Sequence, residues 1–124
     1  MRLNGEEHEN TLISALNYSA TLGDLQRFEE AKSLLRKTMP VARRVLGEGR
    51  ETTLRLRWNY AMALYPDAGA TLDDIREAVT TLEDTERIAR RVLGGAHPIT
   101  TGIESALQNA RAILRARETP QEGA

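Results

Sequence analysis

The chain has 124 residues, 40% of them apolar and only five aromatic, enough Leu, Ala, Val and Ile for the core of one small domain. Seventeen basic residues stand against 18 acidic ones, a formal net charge of −1, so the basic excess typical of a nucleic-acid binder is missing. Zero cysteine excludes disulfides, thiolate catalysis and Cys-ligated metal sites together.

The first predicted helix covers about residues 10–23. Leu12, Ala15, Tyr18, Ser19 and Leu22 recur at helical spacing and form one stripe, and Gly23 and Asp24 are expected to break it. The second covers about 27–46, with Phe28, Ala31, Leu34, Leu35, Thr38, Val41, Ala42, Val45 and Leu46 inward. It ends at Gly47 and Gly49. Pro40 falls inside it and should bend it or remove one hydrogen bond. A third helix spans about 51–65, followed by a longer turn, PDAGA. Thr71 then reads as an N-cap, with Asp74 completing an approximate capping box, and a fourth helix runs to about residue 93. The fifth, about 98–116, opens on Pro98 in the first-turn position that proline tolerates. The polar tail, 119–124, is expected to be disordered.

The chain repeats itself. GEEHENTLISALNYSATL from Gly5 matches GEGRETTLRLRWNYAMAL from Gly47 at an offset of 42 residues, pairing Leu12 with Leu54, Asn17 with Asn59, Tyr18 with Tyr60 and Leu22 with Leu64. Beyond the expanded turn the offset becomes 47, and ARRVLG from Ala42 recurs from Ala89. A third, partial copy opens at Gly94. An amphipathic hairpin cannot cover its own apolar face, so tandem copies stack into one continuous core. The reading is one domain over residues 1–124, with repeats at 5–46 and 47–93 and a capping part-repeat at 94–118. Small residues (Ser19 and Ala61, Ala31 and Ala78) let helices approach. Large ones (Tyr18 and Tyr60, Leu22 and Leu64, Phe28 and Ile75) are expected to fill the space between.

The order Tyr18, Ser19, Leu22, Phe28, Ala31 resembles the tetratricopeptide repeat. The 42-residue offset, the linker Gly94–Thr100, the asparagines Asn17 and Asn59 and the run QRFEEA from Gln26 are similar to its kinesin-light-chain subtype. Arg57, where an apolar residue is usual, and Pro40 depart from that pattern. The resemblance implies an all-α fold: a right-handed α-α superhelix (TPR-like solenoid) of about five helices in antiparallel pairs. It also implies a concave groove, lined by the first helix of each pair, that binds a peptide or protein segment. Carried over, the groove positions are Ile13, Leu16, Asn17, Ala20, Arg55, Trp58, Asn59, Met62 and Asn109, with Ser105 and Ala106 beside the last. Asn amides suit backbone recognition, Trp58 and Met62 adaptable apolar contact, and Arg55 an acidic residue or C-terminal carboxylate. Asn17 and Asn59 read equally well as bonds to a neighbouring helix, and Trp58 equally well as core.

No chemistry is expected. His8 and His97 sit in equivalent linkers rather than at metal spacing, and they read as linker caps. Asp73 and Asp74 belong to a helix start. Arg43-Arg44 and Arg90-Arg91 read as helix-end charges rather than a phosphate site. The expectation is therefore a cytoplasmic module that is no enzyme, has no metal and no cofactor, and binds a protein or peptide but neither nucleic acid nor membrane. MRLNGEEHEN lacks the apolar stretch of a secretory signal, and no apolar run approaches the roughly 18 residues of a membrane span. The alternative is a self-assembly unit that forms a homo-oligomer.

Overall fold

The computed structural model describes residues 5–119, with side chains from residue 8 onward. These residues form five helices and no strand: α1 (Gly5–Asp24), α2 (Phe28–Val45), α3 (Glu51–Leu64), α4 (Leu72–Leu93) and α5 (Pro98–Glu118). The expected tail lies outside the described residues except for Thr119. Every predicted helix is present. Only the start of α1 is displaced, five residues earlier than the periodicity, because that first turn has no apolar residue to mark it.

Local chemistry explains the boundaries. α2 ends before Gly47 and α4 before Gly94, whose φ angles are +90° and +93°. Glycine takes that left-handed backbone without a Cβ clash, and the two sites are repeat equivalents. α4 starts with a complete capping box: Asp74 N–H donates to Thr71 Oγ1 at 3.1 Å and Thr71 N–H donates to Asp74 Oδ2 at 3.0 Å. That bonding, led by the Thr71 amide, holds the Asp74 carboxyl below its ordinary range. His97 caps α5, its Nδ1 accepting from Ile99 N–H at 3.1 Å. Pro40 is tolerated within a continuous α2, where it leaves the Arg36 carbonyl without its usual amide donor.

The first turn differs from expectation. α1 passes through Gly23 and ends at Asp24, and the left-handed residue is Gln26, φ 60°. Arg27 N–H donates to Leu22 O at 2.8 Å and Gln26 N–H to Gly23 O at 3.0 Å, a Schellman pair with glutamine in the seat usually held by glycine.

The main core joins all five helices through Leu12, Leu35, Leu54, Leu56, Tyr60, Leu64, Ile75, Leu82, Ile103 and Leu107. A smaller cluster, Leu22, Ala31 and Ala63 with Phe28 and Leu34, lies near the α1–α2 turn. Consecutive helices pack against each other. In addition α1 packs near α3 and α3 near α5, whereas the backbones of α2 and α4 make no close approach. The first helices of the hairpins are thus the closely spaced inner layer and α2 and α4 the splayed outer one.

The two tyrosines are equivalent in sequence and not in surroundings. Tyr60 is 2% exposed. Its hydroxyl donates to Glu77 of α4 and accepts from Arg36 Nε of α2 at 3.1 Å. Burial and the Glu77 bond raise its pKa. Tyr18 is 54% exposed, contrary to its expected filling role. The physical reason is position in the stack: the face of α3 carrying Thr53, Leu56, Tyr60 and Ala63 is covered by the preceding hairpin, and no described element covers that face of α1. On α1 that face repeats the threonine as Thr11 but carries the more polar Ser14 in place of Leu56 and Thr21 in place of Ala63. Phe28, unlike its equivalent Ile75, is also only half-buried.

Candidate functional site

The inner surfaces of α1 and α3 enclose two hollows in line. One, about 430 Å³, is lined by Glu9, Ile13, Leu16 and Asn17 from α1 and by Arg50, Glu51, Thr52 and Arg55 from the start of α3. The other, about 410 Å³, lies at the opposite end between Ala20, Gly23 and Asp24, the turn residue Gln26, Phe28 and Ala31 of α2, and Trp58, Met62 and Pro66. Asn59 stands between them. Its Nδ2 donates to Ser19 Oγ at 3.1 Å and lies 3.4 Å from the Leu16 carbonyl. Asn59 therefore ties α3 to α1, the neighbouring-helix alternative, while still lining the second hollow.

The other groove positions separate by environment. Ile13 and Met62 are each 38% exposed, and Asn17 and Ala20 are exposed beside them. Leu16 and Trp58 are half-buried against the core. The Trp58 indole lies on Gly102 of α5, where an added Cβ would stand 2.3 Å from Trp58 Cη2. Trp58 thus fills the space between α3 and α5 and also presents part of its ring to the second hollow. Arg55 is exposed and already 3.5 Å from Glu51, one turn earlier. Asn109 is exposed near the Tyr65 hydroxyl, which donates to Met62 Sδ at 3.3 Å; burial pushes that hydroxyl up, and Asn109 partly offsets the push. Ser105 is exposed, but Ala106 is buried and unavailable to a ligand. The structure gathers Ile13, Leu16, Asn17 and Arg55 in one hollow and Ala20, Trp58, Asn59 and Met62 in the other; Asn109 lines neither.

Sequence reasoning missed Asp24, Gln26 and Pro66, and it assigned Phe28 to the core. All four sit at helix ends or in turns, where a carry-over restricted to the first helices does not reach. A further cleft lies on the α4–α5 side, lined by Arg57, Asp84, Arg87, Glu83 and Arg111 among others. Its charges are mutually paired: Arg57 to Asp84 at 2.6 Å, Arg87 to Asp84 at 2.7 Å and Arg111 to Glu83 at 2.8 Å. Arg57, the departure from the apolar pattern, is 7% exposed. Its bond to Asp84 is the main cause holding that carboxyl below its usual range. The cleft reads as a clamp joining α3 to α4.

Among the described residues no group of three or more His, Asp or Glu is placed to hold a metal ion, and no helix is long and apolar enough to cross a membrane. Arg43 pairs with Glu48, and Arg90 with Glu86 and Glu104, as expected of helix-end charges.

A family model described as a tetratricopeptide repeat matches residues 11–50, spanning most of α1, all of α2 and the linker to α3. No curated protein and no solved structure matches the chain. Tetratricopeptide repeats form a non-enzymatic interaction fold. Residues 11–50 match such a repeat, and the described residues are all helical, consistent with a helical-repeat fold.

Proposed function

We propose that the chain is a scaffold that binds a peptide or partner segment along the inner layer, across Ile13, Leu16, Asn17, Ala20, Arg55, Trp58, Asn59 and Met62, with Asn109 at the far margin. The observation that carries this reading is the pair of aligned hollows with exposed apolar side chains, Ile13 in one and Met62 in the other. Packing has not consumed these residues, and they lie on the side where the helices draw together. An occupant spanning both hollows would bury them without disturbing the core. The domain division at 5–46, 47–93 and 94–118 follows the Gly47 and Gly94 turns. The linker Gly94–Thr100 and the 42-residue offset support the kinesin-light-chain-like subtype. A soluble, cytoplasmic setting, without nucleic acid or membrane, accords with the balanced charge.

The test is capture of a partner by the full chain, repeated with Ile13→Glu and Met62→Glu. Both sites are surface positions, so circular dichroism should remain helical while capture of the same partner drops at least tenfold. Capture indifferent to both changes would sink the groove. Tyr18 at 54% and Leu25 at 60% exposure favour the second reading, self-assembly through the Tyr18 face of α1 and the turn that follows it. In that case the mass from light scattering rises with concentration and Tyr18→Ser abolishes the rise.

A further inference from the structure

The hollow at the α1–α2 turn has an electrostatic character that its twin lacks. At the Ile13 end, Arg50 is paired with Glu9 at 2.6 Å and Arg55 with Glu51 at 3.5 Å, so each charge is answered within the chain. At the Met62 end the lining contains one charged side chain, Asp24. It is exposed and makes no ion pair among the described residues.

The helix ends add to this. α2, α4 and α5 each carry two arginines in the last turn: Arg43 and Arg44, Arg90 and Arg91, Arg115 and Arg117. α1 and α3 carry none. A helix C-terminus has the effect of about half a negative charge; the ends of α1, at Asp24, and of α3, just before Pro66, border this hollow, and the positive N-terminus of α2 at Phe28 offsets one of them. The apolar wall is partly aromatic, Phe28 and Trp58, and ring faces attract cations as well as hydrocarbon. Asp24, the surplus of one helix C-terminus over the N-terminus of α2, and the ring faces favour the same kind of ligand charge, while Met62, Phe28 and Trp58 offer a seat for a bulky apolar side chain.

We infer that this hollow selects a peptide segment in which Lys or Arg lies beside a large apolar residue, the apolar side chain resting against Met62, Phe28 and Trp58 and the cation answering Asp24 and the surplus helix C-terminus. The inference rests on the groove reading above and adds the charge class of the occupant. It reverses the preference for an acidic ligand that Arg55 suggested, since Arg55 belongs to the other hollow and is already paired.

The test pans a random-peptide display library on the full chain at low salt, in parallel with Asp24→Asn, Asp24→Lys and Met62→Glu. Peptides recovered on the parent chain should be enriched in Lys or Arg within two positions of Leu, Ile, Phe or Met. Asp24→Asn should weaken the recovered peptides about threefold to fivefold, as expected for a solvent-exposed charge pair, and 0.5 M salt should have the same effect. Asp24→Lys should shift the enrichment toward Asp and Glu, and Met62→Glu should abolish recovery. Asp24 is exposed, so an unchanged helical spectrum confirms that these variants fold. Peptides lost in Met62→Glu but with neutral or acidic enrichment, or indifferent to Asp24, overturn the charge selection and leave the groove standing. Recovery of no peptide overturns the groove together with its selectivity. A chain that dimerises through the hollow, becoming monomeric in Met62→Glu, assigns the surface to a second copy and equally overturns the inference.

Discussion

Three side chains show what a linear reading reaches and where it stops. Gln26 at φ 60° occupies a seat that costs a non-glycine residue about 1–2 kcal/mol. Gln26→Gly should therefore raise stability by roughly 1 kcal/mol, read as a higher urea midpoint with an unchanged slope. The sequence displayed two nearby candidates for the break, Gly23 and Asp24, and nothing in a glutamine's identity marks it as the left-handed residue. The contact of Trp58 with Gly102 was equally hidden, because it joins residues 44 positions apart on different helices. A methyl group at 102 intrudes on the indole, so Gly102→Ala should destabilise by about 1–3 kcal/mol through overpacking and shift the fluorescence of the lone tryptophan. Arg57 was legible as an exception but not as half of a clamp. Asp84, its partner, titrates below the ordinary carboxylate range in the folded chain, chiefly because Arg57 bonds it. Its contribution is thus complete at neutral pH and fades as the pH falls from about 4 through the lower folded value. Asp84→Asn should cost about 1–2 kcal/mol at pH 7, less than a fully buried pair because Asp84 is 40% exposed. The penalty should shrink toward pH 2, measured as denaturation midpoints across that range.

At the level of whole helices, the sequence carried nearly everything. Apolar spacing located five helices. The capping box at Thr71 and Asp74, the glycines 47 and 94, and Pro98 at a helix start set their ends through backbone hydrogen bonding, which is local and therefore visible in a short window. What spacing cannot supply is which face of a helix finds a neighbour. Tyr18 and Tyr60 align perfectly, yet one is solvated and the other gripped by Arg36 and Glu77. The polar exchanges around Tyr18, Ser14 in place of Leu56 and Thr21 in place of Ala63, were the signal available in the sequence. Pro40 offers a direct check on helix energetics. Its repeat equivalent is Arg87, an ordinary helical residue, so the surrounding packing does not require a proline. Pro40→Ala should restore the hydrogen bond to the Arg36 carbonyl and stabilise the fold by about 1–3 kcal/mol, seen as a higher thermal midpoint.

Across the molecule, the two hollows were legible to the extent that their lining lies on first helices. Eight of the nine expected residues line the two hollows. The ninth, Asn109 of α5, lines neither. The electrostatic difference between the hollows was not foreseeable, because it depends on which charges pair and which helix ends converge. The hairpins meet through α3, and the backbones of the outer helices α2 and α4 make no close approach. One phenol spans that gap: the Tyr60 hydroxyl accepts from Arg36 of α2 and donates to Glu77 of α4, so the outer layer is joined through a side chain of the inner one.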